Sequence, residues 1–98
     1  MKNKYEELLN YSNPDIVYKK AIQIYGNDVI IGISTQKHKK YMILNPNTNK
    51  YIHFGYFGME DYTKHKDNER RNKFLKRNHK WRYADIYSPS FMSYYLLW

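Results

Sequence analysis

The sequence predicts an α+β fold: a small antiparallel sheet of three to four strands followed by one or two helices packed on it. Two changes of pattern predict it. Apolar residues alternate with period two between Lys20 and Tyr56, as in strands with one buried face. Over residues 59–82 the alternation gives way to charged residues at helix-compatible spacing. With 98 residues and no internal repeat or low-complexity linker, a single domain over 1–98 is expected.

Each element follows from local chemistry. Residues 1–19 read as an N-terminal arm or short helix, with Tyr5, Leu8 and Leu9 as a meagre apolar face before Asn13-Pro14 breaks it. Residues 20–56 read as two β-hairpins. In the first, Ile22 and Ile24 precede a Gly26-Asn27-Asp28 turn, and Val29, Ile31 and Ile33 follow it. In the second, Tyr41-Met42-Ile43-Leu44 and Tyr51-Ile52-His53-Phe54 flank Asn45-Pro46-Asn47-Thr48-Asn49, a segment dense in turn-forming residues. Residues 59–82 form a basic helical segment with Asp67 as N-cap. Glu69 lies in its first turn and Lys76, Arg77 and Lys80 at its far end, which matches the helix dipole. Phe74, Leu75 and Trp81 give this segment a narrow apolar stripe. Residues 83–98 combine a loop, Asp85 to Pro89, with an apolar C-terminal segment.

Charge is segregated along the chain. The net charge of +8 favours anionic partners, nucleic acid first among them. An A/T-rich genome would spread lysines evenly, but residues 1–36 are neutral, with Lys2, Lys4, Lys19 and Lys20 balanced by Glu6, Glu7, Asp15 and Asp28. The whole excess lies after residue 36, and every arginine lies between 70 and 82. Arginine presents a planar fork suited to phosphate. On a helix, Arg70, Lys73, Arg77 and Lys80 share one side, continued by Lys66. The expected nucleic-acid-binding set is therefore Lys64, Lys66, Arg70, Arg71, Lys73, Lys76, Arg77, Lys80 and Arg82, aided by Lys37, Lys39 and Lys40 on the second hairpin. Five to seven phosphate contacts imply a slope of log K against log salt of roughly −4 to −6. Tyr41, Tyr51, Tyr56 and Trp81 lie near these cations and offer faces for unpaired bases, or serve as core and sheet residues.

Catalysis has few routes here. Without cysteine there is no thiolate nucleophile, disulfide or cysteine-type zinc site. His38, His53, His65 and His79 lack the i, i+4 spacing of two metal ligands on one helix, so no metal and no cofactor are expected. Glu60, Asp61, Asp67 and Glu69, with His65 or His79 as base, form the one arrangement that suits a Mg²⁺-dependent nuclease. Capping and ion pairing explain the same carboxylates more simply. No apolar run approaches the ~20 residues of a bilayer span. Glu6 and Glu7 interrupt any secretory signal, so an intracellular or virion location is expected.

The octet ending at Trp98 is the second unusual feature. Phe91, Met92, Tyr94, Tyr95, Leu96, Leu97 and Trp98 left in water would form an apolar patch that monomers avoid. It packs back over the sheet, or it docks onto a second copy or another protein of a virion or host.

Four blocks carry a resemblance over residues 39–98: Lys39-Lys40-Tyr41-Met42, Ile52-His53-Phe54-Gly55, Glu60 to Asp67 with Glu69-Arg70-Arg71, and Phe91, Ser93 and Leu96-Leu97-Trp98. Together they resemble a small family of unknown function encoded by large DNA viruses of eukaryotes, with similar phage-encoded proteins. The chain departs from that pattern at Arg77-Asn78-His79 and Ser88-Pro89-Ser90. The resemblance implies a viral origin and a compact β-then-α module. It also implies that His53, Asp61, Thr63, His65 and Asp67 form a hydrogen-bonded network bracing the helix entrance against the strand ending at Phe54. A small basic viral protein of this kind is expected to bind nucleic acid without catalysis and with little sequence discrimination, DNA ahead of RNA.

Overall fold

The computed structural model describes residues 3–98, so Met1 and Lys2, at the head of the expected N-terminal arm, lie outside the described residues. Asn3 opens a short helix, α1 (Lys4–Leu8), by accepting the Glu6 N–H at 2.9 Å. Asn13 opens a longer one, α2 (Pro14–Tyr25), by accepting the Asp15 N–H at 3.2 Å, with Pro14 in its first turn.

Helix α2 corrects the expected first hairpin. Lys20 to Tyr25 are the second half of this helix, so the expected boundary between residues 19 and 20 falls inside it. Val17 and Ala21, one turn apart, are buried, whereas Ile22 and Ile24, which supply the period-two pattern, are 43% and 41% exposed. A cap, a proline and an acidic first turn together outweigh a two-residue alternation.

The sheet has three antiparallel strands in the order β1 (Ile31–Ile33), β2 (Lys39–Asn45) and β3 (Lys50–Tyr56). Ile31 lies opposite Ile43, Ile33 opposite Tyr41, Tyr41 opposite Phe54 and Ile43 opposite Ile52. These six residues therefore share one face. Tyr41 and Phe54 stack across the strands at 5.7 Å between ring centres, and Tyr18 of α2 meets Tyr41 edge-on.

Beyond the sheet the basic helical segment expected over 59–82 is divided into three. Its parts are α3 (Tyr62–His65), α4 (Asn68–Arg77) and a 3₁₀ turn (His79–Tyr83). Lys66 adopts a left-handed conformation (φ 53°) that ends α3. Asp67 then restarts the chain as the cap expected of it, accepting the Glu69 and Arg70 N–H groups at 3.0 and 3.2 Å. Helix α4 has no fully buried residue and rests on the C-terminal segment, its Phe74 ring 4.3 Å from Trp98 and nearly parallel to it.

The C-terminal octet packs against the sheet through α5 (Pro89–Met92) and a π-helical turn (Ser93–Leu97). Met92, Leu96 and Leu97 join Leu8, Val17, Ala21, Tyr41, Ile43 and Phe54 in the core. The docking surface expected of Phe91, Met92, Tyr94, Tyr95, Leu96, Leu97 and Trp98 is corrected accordingly: three are core, and the other four are half-buried. A domain this small needs those side chains to cover its one apolar sheet face. The contact is close enough to require Gly55 (φ 82°), where a Cβ would lie 2.9 Å from Leu97 Cδ1 and 3.1 Å from Lys40 Cβ.

Leu96→Ala is expected to lower unfolding free energy by about 2–5 kcal/mol in a urea titration. Removing residues 91–98 is expected to abolish the cooperative transition altogether. A truncated chain that still unfolds cooperatively would contradict this assignment of the octet to the core.

Candidate nucleic-acid interface

The most constrained polar group in the molecule is a buried ion pair. Lys40 Nζ of β2 lies 2.9 Å from Asp61 Oδ2, with 2% and 1% of the two side chains exposed. Lys40 also donates to the Tyr11 carbonyl at 3.3 Å, and the Asp61 N–H donates to the same carbonyl at 3.0 Å. The other Asp61 oxygen caps α3 by accepting the Thr63 N–H at 3.0 Å, and it accepts the Thr63 hydroxyl as well. With that proton committed, Ser12 Oγ donates to Thr63 Oγ1 at 3.2 Å and accepts the Tyr41 hydroxyl at 2.7 Å. Every donor in this chain points toward Asp61, an arrangement in which each bond polarises the next. Burial pulls the Lys40 ammonium below its ordinary value, and the adjacent Asp61 charge partly restores it. Lys40 is thus a structural cation, which corrects its place in the phosphate-binding set.

The expected network of His53, Asp61, Thr63, His65 and Asp67 separates into three pieces. Asp61 and Thr63 belong to the Lys40 cluster. His53 Nδ1 pairs with Ser34 Oγ at 2.7 Å, away from the helix entrance. His65 Nδ1 accepts the Asp67 N–H at 2.9 Å, which leaves the ring proton on Nε2, buried and without a partner among the described residues. Burial lowers the pKa of both histidines, reinforced by Lys4 and Lys39 at His53 and by Arg70 at His65.

The cations divide by environment. Lys37, Lys64, Lys66, Arg70, Lys73, Lys76, Arg77 and Lys80 are exposed, and Lys39 is half-exposed. Arg71 is committed: its Nε donates to the Trp98 carbonyl at 2.7 Å and its guanidinium lies over the Tyr62 ring. Arg82 is half-buried and pairs with His79 and Tyr83. Lys80 lies on the 3₁₀ turn, so the stripe on one continuous helix ends at Arg77. Lys20, from the neutral first 36 residues, joins Arg71 and Arg82 around a second hollow behind α4, where burial and Arg71 lower its pKa. Sequence spacing gives no sign of that neighbour.

Arg70, Lys73 and Arg77 edge a cleft of about 360 Å³ floored by Phe74, Trp81, Leu97 and Trp98. Gly55, Tyr56 and Met59 close its other side, and Lys40 and Asp61 lie in its wall. Of the four aromatic residues expected near the cations, Tyr56 and Trp81 line this cleft, Tyr41 is core, and Tyr51 is exposed on β3. Phe74 and Trp98 belong to it as well, brought there by the fold of the C-terminal segment. Lys73 makes an exposed ion pair with Glu69 at 3.4 Å, a geometry of little energetic weight. Among the described residues no group of three His, Asp or Glu side chains is placed to hold a metal ion, and no helix is long and apolar enough to cross a membrane.

Residues 29–79, just over half of the sequence, match the family of unknown function DUF5754. The chain belongs to this family. The DUF5754 match spans all three strands, Lys40, Tyr41, Asp61 and Thr63 of the buried cluster, and α4 with its cleft-edge cations, whereas Tyr11 and Ser12 of that cluster precede it. The blocks from Phe91 to Trp98 that carry part of the resemblance lie beyond it. No curated protein and no solved structure gives a significant match.

Lys40→Met leaves Asp61 buried and uncompensated and is expected to cost about 3–5 kcal/mol in denaturant unfolding. Adding Asp61→Asn, which keeps the cap acceptor and removes the charge, is expected to restore part of that loss. The histidines set a separate dependence. Their folded pKa values lie below the ordinary 6.5, so the unfolded chain binds protons first as pH falls. Stability is therefore expected to be complete above about pH 6.5 and to decline below it. A His53→Gln/His65→Gln variant is expected to show a flatter profile in urea midpoints measured across that range.

Proposed function

We propose that this chain is a non-enzymatic, virus-encoded protein that binds nucleic acid through phosphate contacts with little sequence specificity, associated with the genome in the virion or the infected cell. One observation carries the reading: Arg70, Lys73 and Arg77 are exposed, lie at one-turn intervals along the same cleft and share it with one acid, Glu60, that has no ion-pair partner among the described residues. Asp61, the other acid there, is neutralised by Lys40. A field of one sign over a concave surface concentrates polyanions. The viral assignment rests on the resemblance of the sequence blocks.

Lys66 before α4 and Lys80 after it extend the stripe, giving about three to five phosphate contacts and a slope of log K against log salt of about −2 to −4. This is shallower than the sequence alone implies, because Lys40 and Arg71 are held by the fold. Fluorescence anisotropy with labelled DNA at two salt concentrations measures it. Replacing Arg70, Lys73 and Arg77 together by glutamine is expected to flatten the slope by about two to three units. A salt-independent affinity, or no binding to DNA or RNA at low salt, would refute the reading.

A further inference from the structure

The same cleft has an aromatic floor that phosphate binding does not use. Phe74 stacks on Trp98 at 4.3 Å with 8° between the ring planes, and Trp81 meets Phe74 edge-on at 5.9 Å. All three rings stay half-buried, while Tyr56 and Met59 at the mouth are 60% and 56% exposed. A hollow of about 360 Å³ lies within the size range of small-ligand pockets. It is therefore large enough for one planar ring system, and its edge of Arg70, Lys73 and Arg77 selects an anionic one.

We infer that this cleft takes an unpaired nucleobase, with the phosphates on either side of that base held by Arg70, Lys73 and Arg77, so that the protein prefers single-stranded nucleic acid to duplex. The inference rests on the phosphate-binding reading above and adds strandedness to it. The three cations span about 10 Å along α4, the scale of the backbone flanking one base. Within a duplex both faces of a base are covered, and entry requires extrusion from the stack, which costs unpairing energy. A single strand presents those faces freely, and aromatic stacking is tolerant of sequence because every base has a π-face. Base stacking and phosphate contact come from adjacent turns of one short stretch, since Arg70, Lys73, Phe74 and Arg77 all lie on α4.

Both tryptophans of the chain line the cleft, so the native protein carries its own probe. Three ligands are titrated at low salt while tryptophan fluorescence and affinity are followed: a short oligothymidylate, an abasic strand of the same length, and the matching duplex. The expected result is quenching by oligothymidylate alone, with affinity about tenfold above that for the abasic strand. Trp81→Leu is expected to reduce that advantage severalfold, with a cooperative urea transition showing that the variant remains folded. Equal binding of all three without quenching would overturn the base-stacking inference and leave the phosphate-binding reading intact. No response to any strand would overturn both. Quenching by an acidic, aromatic peptide without response to the strands would assign the cleft to a protein partner and likewise overturn them.

Discussion

The Lys40–Asp61 ion pair is the constraint on which the rest of the structure depends. Taking two charges out of water is costly, and the attraction between them repays that cost only when the remaining polar atoms are also satisfied. Here they are. The Asp61 carboxylate takes Lys40, the Thr63 N–H and the Thr63 hydroxyl, while the Tyr11 carbonyl receives both the Lys40 ammonium and the Asp61 N–H. One cluster thus joins the α1–α2 linker, the second strand and the start of α3. It also fixes where the chain turns into α3 after β3, while Asp67, bonded to His65, caps α4 on its own. Behind the cations proposed to meet phosphate, the cleft wall holds one cation that is neutralised and almost fully buried.

This division of labour changes the meaning of the charge. A net +8 counts every lysine and arginine alike. The fold does not: Lys40 neutralises Asp61, Arg71 holds the Trp98 carbonyl, and Arg82 is half-buried beside His79 and Tyr83. Among the described residues, the exposed cations that cluster are a shorter stripe on α4 and its neighbours at either end, while Lys19, Lys37 and Lys50 lie elsewhere. Fewer free cations give a shallower salt dependence, and their concentration along one cleft gives that field a direction.

The second hairpin was legible because turn chemistry and alternation agree there: the Asn- and Pro-rich turn sits where Tyr41, Ile43, Ile52 and Phe54 all face one side. Asp67 was legible as a cap because a short acidic side chain before a charged helical run has few other local uses. The first hairpin misled because Ile22 and Ile24 alternate by accident on the outer side of α2, and the Asn13-Pro14 pair marks the start of a helix as well as the end of one. Lys40 was illegible for a different reason. Burial of a lysine depends on an acid twenty-one positions away and on a carbonyl from the α1–α2 linker, and neither leaves a local trace. The cleft was half-legible: Arg70, Lys73 and Arg77 follow from helical spacing, whereas Trp98 reaches Phe74 only through long-range packing.

The size of the domain explains why such a cleft persists. The apolar C-terminal segment is consumed in covering the sheet, with Met92, Leu96 and Leu97 all in the core. Little apolar material is left to seat α4, which buries no residue fully and is held through Phe74, Trp98 and the Arg71 bond to the Trp98 carbonyl. An element anchored by so few contacts lies at the low-stability end of the fold. An unpaired base stacked among these rings, as proposed, would supply the missing contacts on one side, and its flanking phosphates the missing counter-charges on the other. On that proposal, binding and the seating of α4 would be one event. Because such a ligand binds only the folded chain, it shifts the folding equilibrium by mass action.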